Sequence, residues 1–327
     1  QKKFSVYAVG FYNQENLFDT CHDEGKKDYE YLPNKGWNGM KYTNKLRNMS
    51  KALADMGTDV LPNVGCAFIG LAEVENHKVL DALVDQAPLK ARNMKYVHIE
   101  GPDRRGIDCA LLYNPSLFSV KNVKLLPYVQ ELAKDSAFFT RGFLTVRGEM
   151  AGDDVAVIVC HWPSRFSGPF YRESAARQVK VIKDSLLNVN QEMKIFVMGD
   201  MNDDPVNKSM HVYLQAKPEI SQVGAVDMYN PWYNVLAKEG KGTLFYSGNW
   251  NLFDQIVITP NLLNKDAKKK DYSSLKYWKS HIFRRDYLIQ QEGQYKGAPL
   301  RTTAGGRWLN GYSDHLPVVM YLVKEKK

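Results

Sequence analysis

The sequence predicts an α/β fold in one domain, with two mainly antiparallel β-sheets packed face to face and helices outside. Three observations carry this. Short apolar runs recur along the chain, each bounded by turn residues: Cys66–Ala72, Val155–Cys160 and Ile195–Met198. Helical periodicity is confined to a few stretches, chiefly Asn44–Met56, with Leu46, Met49 and Leu53 on one stripe, and Tyr171–Leu187, with Ala175, Ala176, Val179 and Ile182. The 327 residues, 44% of them apolar, suffice for one large two-layer core without a repeat or low-complexity segment.

The chain opens with a strand-like run, Phe4–Phe11, that ends in Tyr12–Asp19, rich in amides and carboxylates. Cys21–Thr43 is polar, carries Pro33, Gly36 and Gly39, and reads as a surface loop. After Cys66–Ala72 come Glu73, Glu75 and Asn76, then an amphipathic helix over Val79–Val84. Beside a helix start, Glu73 could simply be a cap or dipole partner. Tyr96–Ile99 and Ile107–Tyr113 pair around Gly101–Gly106. Asp108 inside the second of these strands calls for a polar site or a partner such as Arg104 or Arg105. Phe118–Tyr128 and Phe138–Met150 read as further antiparallel strands, with Arg141 at a break in the second, Thr140–Gly142, between aromatic and apolar residues.

Val155–Cys160 delivers His161, which could be structural or an acid–base group. Ile195–Met198 runs through Gly199 into Asp200, Asn202, Asp203 and Asp204. Such a run is an Asx-rich turn at least; Asp200 could also orient a nucleophile, with Asn202 a neutral donor and acceptor. Asn207–Ala216 reads as a short helix, and Val226–Gly242 as irregular. Leu252–Gln255, with Asp254, precedes the run Ile256–Ile258; Gly293–Gly311 reads as loop, and Asp314 and His315 precede a closing strand, Val318–Val323. Tyr277–Tyr287 interleaves Trp278, Phe283 and Tyr287 with Lys279, Arg284 and Arg285, a pattern compatible with a nucleic-acid surface or a plain exposed strand.

Apolar strands thus deliver Asn13 and Glu15, Glu73, His161, and Asp200 with Asn202, while Asp254 and Asp314/His315 stand at strand starts. In a sandwich these ends can share one edge. Acidic groups gathered there repel unless a cation sits among them, and oxygen ligands favour a hard ion such as Mg²⁺, with Mn²⁺ or Ca²⁺ as alternatives. Histidines beside such a site point to acid–base chemistry on a phosphate ester.

In order along the chain, YNQENLFD, LAEVEN, RRGIDCALLYNP, VCHWPSR, GDMNDDP, LFDQIVIT and SDHLPV resemble the motifs of the endonuclease/exonuclease/phosphatase family, the deoxyribonuclease-I-like proteins. The resemblance covers essentially the whole chain. It implies a four-layer α+β sandwich and a metal-dependent phosphoesterase, an endo- or exonuclease first and a phosphatase or phospholipase-C-type hydrolase second. A non-catalytic binding module on the same fold is a further alternative. It implies Glu73 as the principal metal ligand, supported by Asn13, Glu15 and Asp314. Asp200 aligns or activates the attacking water, Asn202 holds a phosphate oxygen, and His315 contacts the scissile phosphate with Asp254 fixing its tautomer. His161 lies near the leaving group. Arg141 resembles a phosphate-contacting arginine, although Gly142 and Phe143 replace the family's following prolines. Asp108 joins it as a substrate-binding candidate.

The net charge of +8 favours an anionic partner, nucleic acid or another phosphate ester, and nothing calls for an oligomer. No apolar run approaches the roughly 20 residues of a membrane span. The start at Gln1 is compatible with a removed leader and export. Of the four cysteines, Cys109 and Cys160 lie in strand-like runs, and Cys21 and Cys66 could pair.

Overall fold

A computed structural model describes residues 2–132 and 139–326. The expected strand start at Phe138 lies outside these residues. The strands, in chain order, are β1 (Phe4–Leu17), β2 (Cys66–Val74), β3 (Lys95–His98), β4 (Asp108–Tyr113), β5 (Phe118–Leu126), β6 (Phe143–Met150), β7 (Asp153–His161) and β8 (Lys194–Asp200). They continue with β9 (Ala216–Lys217), β10 (Met228–Tyr229), β11 (Leu244–Tyr246), β12 (Asn249–Asn251), β13 (Asp254–Ile258), β14 (Lys276–Ile282), β15 (Thr303–Ala304), β16 (Arg307–Trp308) and β17 (Val318–Glu325). The helices are α1 (Gly39–Asp55), α2 (His77–Val84), α3 (Ala87–Lys90), α4 (Pro169–Val189) and α5 (Tyr233–Glu239).

One sheet runs β14-β17-β1-β2-β4-β3 and the other β5-β6-β7-β8-β13-β10-β9. β11–β12 and β15–β16 are separate hairpins. Strand alternation decides what each side chain meets. Val9 and Phe11 of β1 enter the core between the sheets with Val155, Val157 and Val159 of β7 and Phe196 and Met198 of β8. The alternate residues Ala8 and Tyr12 turn outward onto α1, whose Leu46, Met49 and Leu53 cover that face. On the other side Ala156, Ile158, Ile195 and Val197 meet Ala175, Ala176 and Val179 of α4. The result is helix, sheet, sheet, helix.

Most pairings are antiparallel; the short β9–β10 pair is parallel, and so are β1–β2 and β7–β8. The latter two parallel pairs matter most for the site. They bring the ends of four strands to one rim, and their antiparallel neighbours β13 and β17 contribute their starts to the same rim. Thus Asp200 stands opposite both His161 and Asp254 in the register. Gly199 permits this approach: a Cβ there would stand 2.2 Å from the carbonyl oxygen of Cys160.

Several boundaries differ from expectation. The stretch read as loop from Cys21 contains two 3₁₀ turns, Tyr29–Tyr31 and Pro33–Lys35, and α1 begins at Gly39 rather than Asn44 because Asn38 caps it by accepting from Lys41 N at 3.1 Å. The short helix expected over Asn207–Ala216 is a single π-turn at Ser209–Tyr213. Val226–Gly242 contains α5 and β10, and the loop read over Gly293–Gly311 contains the β15–β16 hairpin. Cys21 and Cys66 are free thiols, one exposed and one buried. Among the described residues no helix is long and apolar enough to cross a membrane.

Candidate active site

Asp200, 2% exposed, is the centre of the rim. Its Oδ2 accepts a hydrogen bond from Asn13 Nδ2 at 3.0 Å and lies 3.5 Å from His161 Nε2 and 3.7 Å from His315 Nε2. Its Oδ1 accepts from Asn202 N at 3.0 Å, closing the turn that follows β8. Asn13 Nδ2 also reaches Glu73 Oε1 at 3.3 Å, and Glu73 Oε2 accepts from Asn16 N at 2.9 Å. Glu73 is not the cap of α2: Asn76 fills that role, accepting from Lys78 N and Val79 N, which leaves the Glu73 carboxylate facing the rim.

The backbone is bent to aim these groups. The β1–β2 and β2–β4 registers slip between Asn13 and Leu17 and between Leu71 and Val74. Glu15, Asn16, Glu73 and Asn202 all take positive φ, at 44°, 54°, 60° and 49°. Non-glycine residues there cost free energy that the surrounding packing must offset, and such residues cluster at functional sites.

His315 is held from behind. Its Nδ1 lies 2.7 Å from Asp254 Oδ2, and the same oxygen accepts from the Thr243 hydroxyl. Ser313 Oγ donates to the Asn13 carbonyl and accepts from His315 N, tying this segment to β1. Burial would lower the His315 pKa, but the Asp254, Asp200 and Asp314 carboxylates outweigh it and hold the imidazole well above its ordinary value. His161 goes the other way: burial, then the nearby Arg141 and Arg105, push it well below and keep it neutral. Burial raises Asp200 to about 7, against the opposing pull of His315.

Glu73, His161 and Asp200 offer ligand atoms within 4.8 Å of one another, and so do Asp200, Asp254 and His315. Buried Oδ1 atoms of Asp254 and Asp314 have no hydrogen-bond donor. Converging carboxylate oxygens with uncompensated acceptors fit a hard divalent cation; Asn13 turns its Nδ2 toward them, its Oδ1 accepting from Glu15 N at 2.8 Å. The carboxylate of Glu15 is turned elsewhere: it accepts from Thr302 N at 2.8 Å and lies 3.6 Å from Arg301 Nε. Burial, with Asp314 adding to it, raises Glu15 to about 8. Arg301 also reaches Asp314 Oδ2 at 3.4 Å.

Two substrate-binding expectations are corrected. Asp108 does not pair with Arg104 or Arg105; its Oδ2 lies 2.8 Å from His98 Nε2 and its Oδ1 accepts from Gly101 N at 3.0 Å, so it braces the β3–β4 turn. Arg141 directs its donors inward, to the carbonyls of His161 and Trp162 at 3.2 and 3.0 Å and to Asp103 Oδ2 at 3.0 Å. These bonds position the His161 segment. The Tyr277–Tyr287 run also divides: Phe283 is buried, the Tyr287 hydroxyl donates to Asp55 at 2.6 Å, Arg285 pairs with Asp59, and Trp278 stays exposed beside Lys279.

Sequence reasoning missed Arg301, Arg105, Arg165 and Lys45. Arg105 donates to the Asn16 side chain and Arg165 to the Asn202 carbonyl at 3.1 Å. Lys45, wholly buried and lowered to about 8 by that burial, donates to Thr302 Oγ1 at 2.6 Å. Arg105 and Arg165 lay within quoted motifs, RRGIDCALLYNP and VCHWPSR, and Lys45 adjoins the apolar stripe of α1; Arg301 carried no such signal.

A search of curated proteins finds no match. Solved structures similar in fold include TDP2 from D. rerio complexed with a single-strand DNA product, at 11% identity, covering 97% of this chain and 99% of that one, with a TM-score of 0.55. A mannosyl-6-phosphatase from Bacteroides thetaiotaomicron, at 14% identity, covers 97% and 99% with a TM-score of 0.58. A further Bacteroides thetaiotaomicron protein, described by its family alone, covers 99% and 97% at 14% identity and a TM-score of 0.57. A sequence model of the Endonuclease/Exonuclease/phosphatase family matches residues 8–324, and the chain belongs to that family.

Proposed function

We propose that the rim hydrolyses phosphate esters with a divalent cation, of which Mg²⁺ is the first to try. The observation that carries this is one buried carboxylate, that of Asp200, met by Asn13, His161 and His315 within 3.7 Å. Glu73, with Asn13 and Asp314 beside it, would hold the cation, which when bound offsets charge on the phosphoryl oxygens. Asp200 orients a water for in-line attack and takes its proton, a task suited to a carboxylate raised to about 7. His315, its Nδ1 hydrogen held by Asp254, donates from Nε2 to a phosphoryl oxygen. One amide hydrogen of Asn202 is engaged with the Trp162 carbonyl at 2.9 Å, and the other can serve the same oxygen. His161, kept neutral, orders the Asp200 carboxylate or the leaving oxygen by hydrogen bonding rather than acting as a strong acid.

The test is Asp200→Ala assayed on bis-p-nitrophenyl phosphate with Mg²⁺. Hydrolysis should fall by about 10² to 10³. Undiminished hydrolysis would refute the role of Asp200.

Two substrate readings have support. The net charge of +8, with Arg105, Arg165 and Arg301 flanking the rim, favours nucleic acid cut as an endo- or exonuclease. The TDP2 neighbour, complexed with a DNA product, accords with this. A compact phosphate ester is favoured by the cavity of about 300 Å³ that adjoins Glu15 and Asn16. The mannosyl-6-phosphatase neighbour accords with that second reading.

A further inference from the structure

The cavity beside the rim has walls from two parts of the chain that the sequence left as loop. One wall is the pair of 3₁₀ turns carrying Glu30, Tyr31 and Lys35, and the other is the β15–β16 hairpin carrying Trp308. Its floor is Glu15 and Asn16, and Asn16 N is bonded to Glu73. Arg301 stands where cavity and rim meet, between Glu15 and Asp314, with a buried Nε lacking a hydrogen-bond acceptor.

The walls are preorganised. Tyr31 stacks on Phe18 with centroids 4.1 Å apart and planes 6° apart, and Trp37 is fixed by its Nε1 donating to the Phe18 carbonyl at 3.1 Å. Lys41 Nζ lies 5.5 Å from the centroid of the Trp308 ring. Aromatic walls offer apolar surface to one face of a ring. Polar groups of both signs, Glu15 and Glu30 against Lys35, Lys41 and Arg301, line the same small space. Hydroxyl groups, which donate and accept, suit both signs at once.

We infer that this cavity is the specificity pocket for the polyhydroxylated ring of a sugar phosphate, whose phosphate group lies at Asp200. The inference rests on the hydrolytic reading of the rim and names its substrate class. Arg301 is then the residue that spans ring and phosphate. A monosaccharide ring seated here places its ester against the rim, since Asn16 of the pocket lining donates its N–H to Glu73 of the rim.

The experiment compares wild type, Trp308→Ala and Lys41→Ala with Mg²⁺ on hexose 1- and 6-phosphates, bis-p-nitrophenyl phosphate and a short single-stranded oligonucleotide. At least one hexose phosphate should exceed the oligonucleotide in kcat/KM. Both variants should lose about tenfold more on that sugar phosphate than on bis-p-nitrophenyl phosphate, mainly through KM. Equal losses on the two esters, or preference for the oligonucleotide, overturn the pocket while leaving the hydrolytic rim intact. If wild type turns over no ester, the hydrolytic reading fails by itself. Calorimetric titration of the same hexose phosphates then decides the pocket: binding weakened about tenfold in both variants supports it, and no saturable binding by wild type overturns it.

Discussion

The state of one imidazole sets much of the chemistry at the residue scale. His315 is charged because three carboxylates surround it, and Asp254 fixes which nitrogen faces the rim. A histidine whose folded pKa is raised keeps its proton below that value and loses it as pH rises through it. Activity that needs the His315 donor therefore declines on the alkaline side. Asp254→Asn removes the first-ranked carboxylate, so the alkaline limb of the pH–rate profile should move to lower pH, and kcat should fall by about 10² to 10³. An unmoved limb in a pH series on bis-p-nitrophenyl phosphate would remove Asp254 from this role. His161 illustrates the opposite tuning a few ångströms away: burial, with Arg141 and Arg105 adding to it, lowers it although Asp200 lies 3.5 Å from its Nε2.

Single elements brace the rim without touching a substrate. The β3–β4 connection folds back on Asp108, which satisfies His98 and Gly101 N while almost fully buried. The same connection sends Asp103 to Arg141 and the Arg105 guanidinium to Asn16. Asp108→Ala strips a buried acceptor from two donors and should cost about 1.5–3 kcal/mol in denaturant unfolding. Turnover of bis-p-nitrophenyl phosphate by the folded fraction should change little. Arg141→Met acts differently, because it frees the carbonyls that hold His161 in place. It should lower kcat more than it lowers stability, a split read by pairing steady-state kinetics with the unfolding curve.

Across the whole molecule, the rim concentrates negative charge in a protein whose net charge is +8. Glu73, Asp200, Asp254 and Asp314 gather there around His315, with Arg301 3.4 Å from Asp314 at the edge. A cation that binds only the folded state raises stability with its concentration. Mg²⁺ should therefore raise the Tm and a chelator reverse it, whereas Glu73→Gln should lose the Mg²⁺-dependent rise. A Tm in differential scanning calorimetry that ignores Mg²⁺ would separate the rim from any metal role. Ionic strength sorts the substrates at this scale too: cleavage of nucleic acid should fall steeply with salt through counterion release, and cleavage of a small ester should not.

Apolar runs bounded by turn residues were enough to read the strands, because a buried run marks a strand whatever its partners, and the order of the motifs carried the four-layer sandwich. The polar residues at strand ends were legible for the same reason: a run of buried apolar residues that stops at Asp200, Glu73 or His161 marks an edge in any sheet. Which edges coincide was decided only by pairing. Asn13 meets Asp200 across 187 positions, and His315 meets Asp254 across 61. The two parallel strand pairs that make this happen depend on long-range closure rather than local preference. Asp108 and Arg141 were misread because a charge inside an apolar run looks the same whether it faces a ligand or a histidine, a turn amide or a carbonyl. Arg301 and Trp308 were unreadable as function, since turn-rich sequence fixes no direction until the hairpin packs against the 3₁₀ turns. An apolar run needs only neighbouring residues, so the chain carries it alone; the partners of a buried charge come from distant strands, and only the folded sheets choose them.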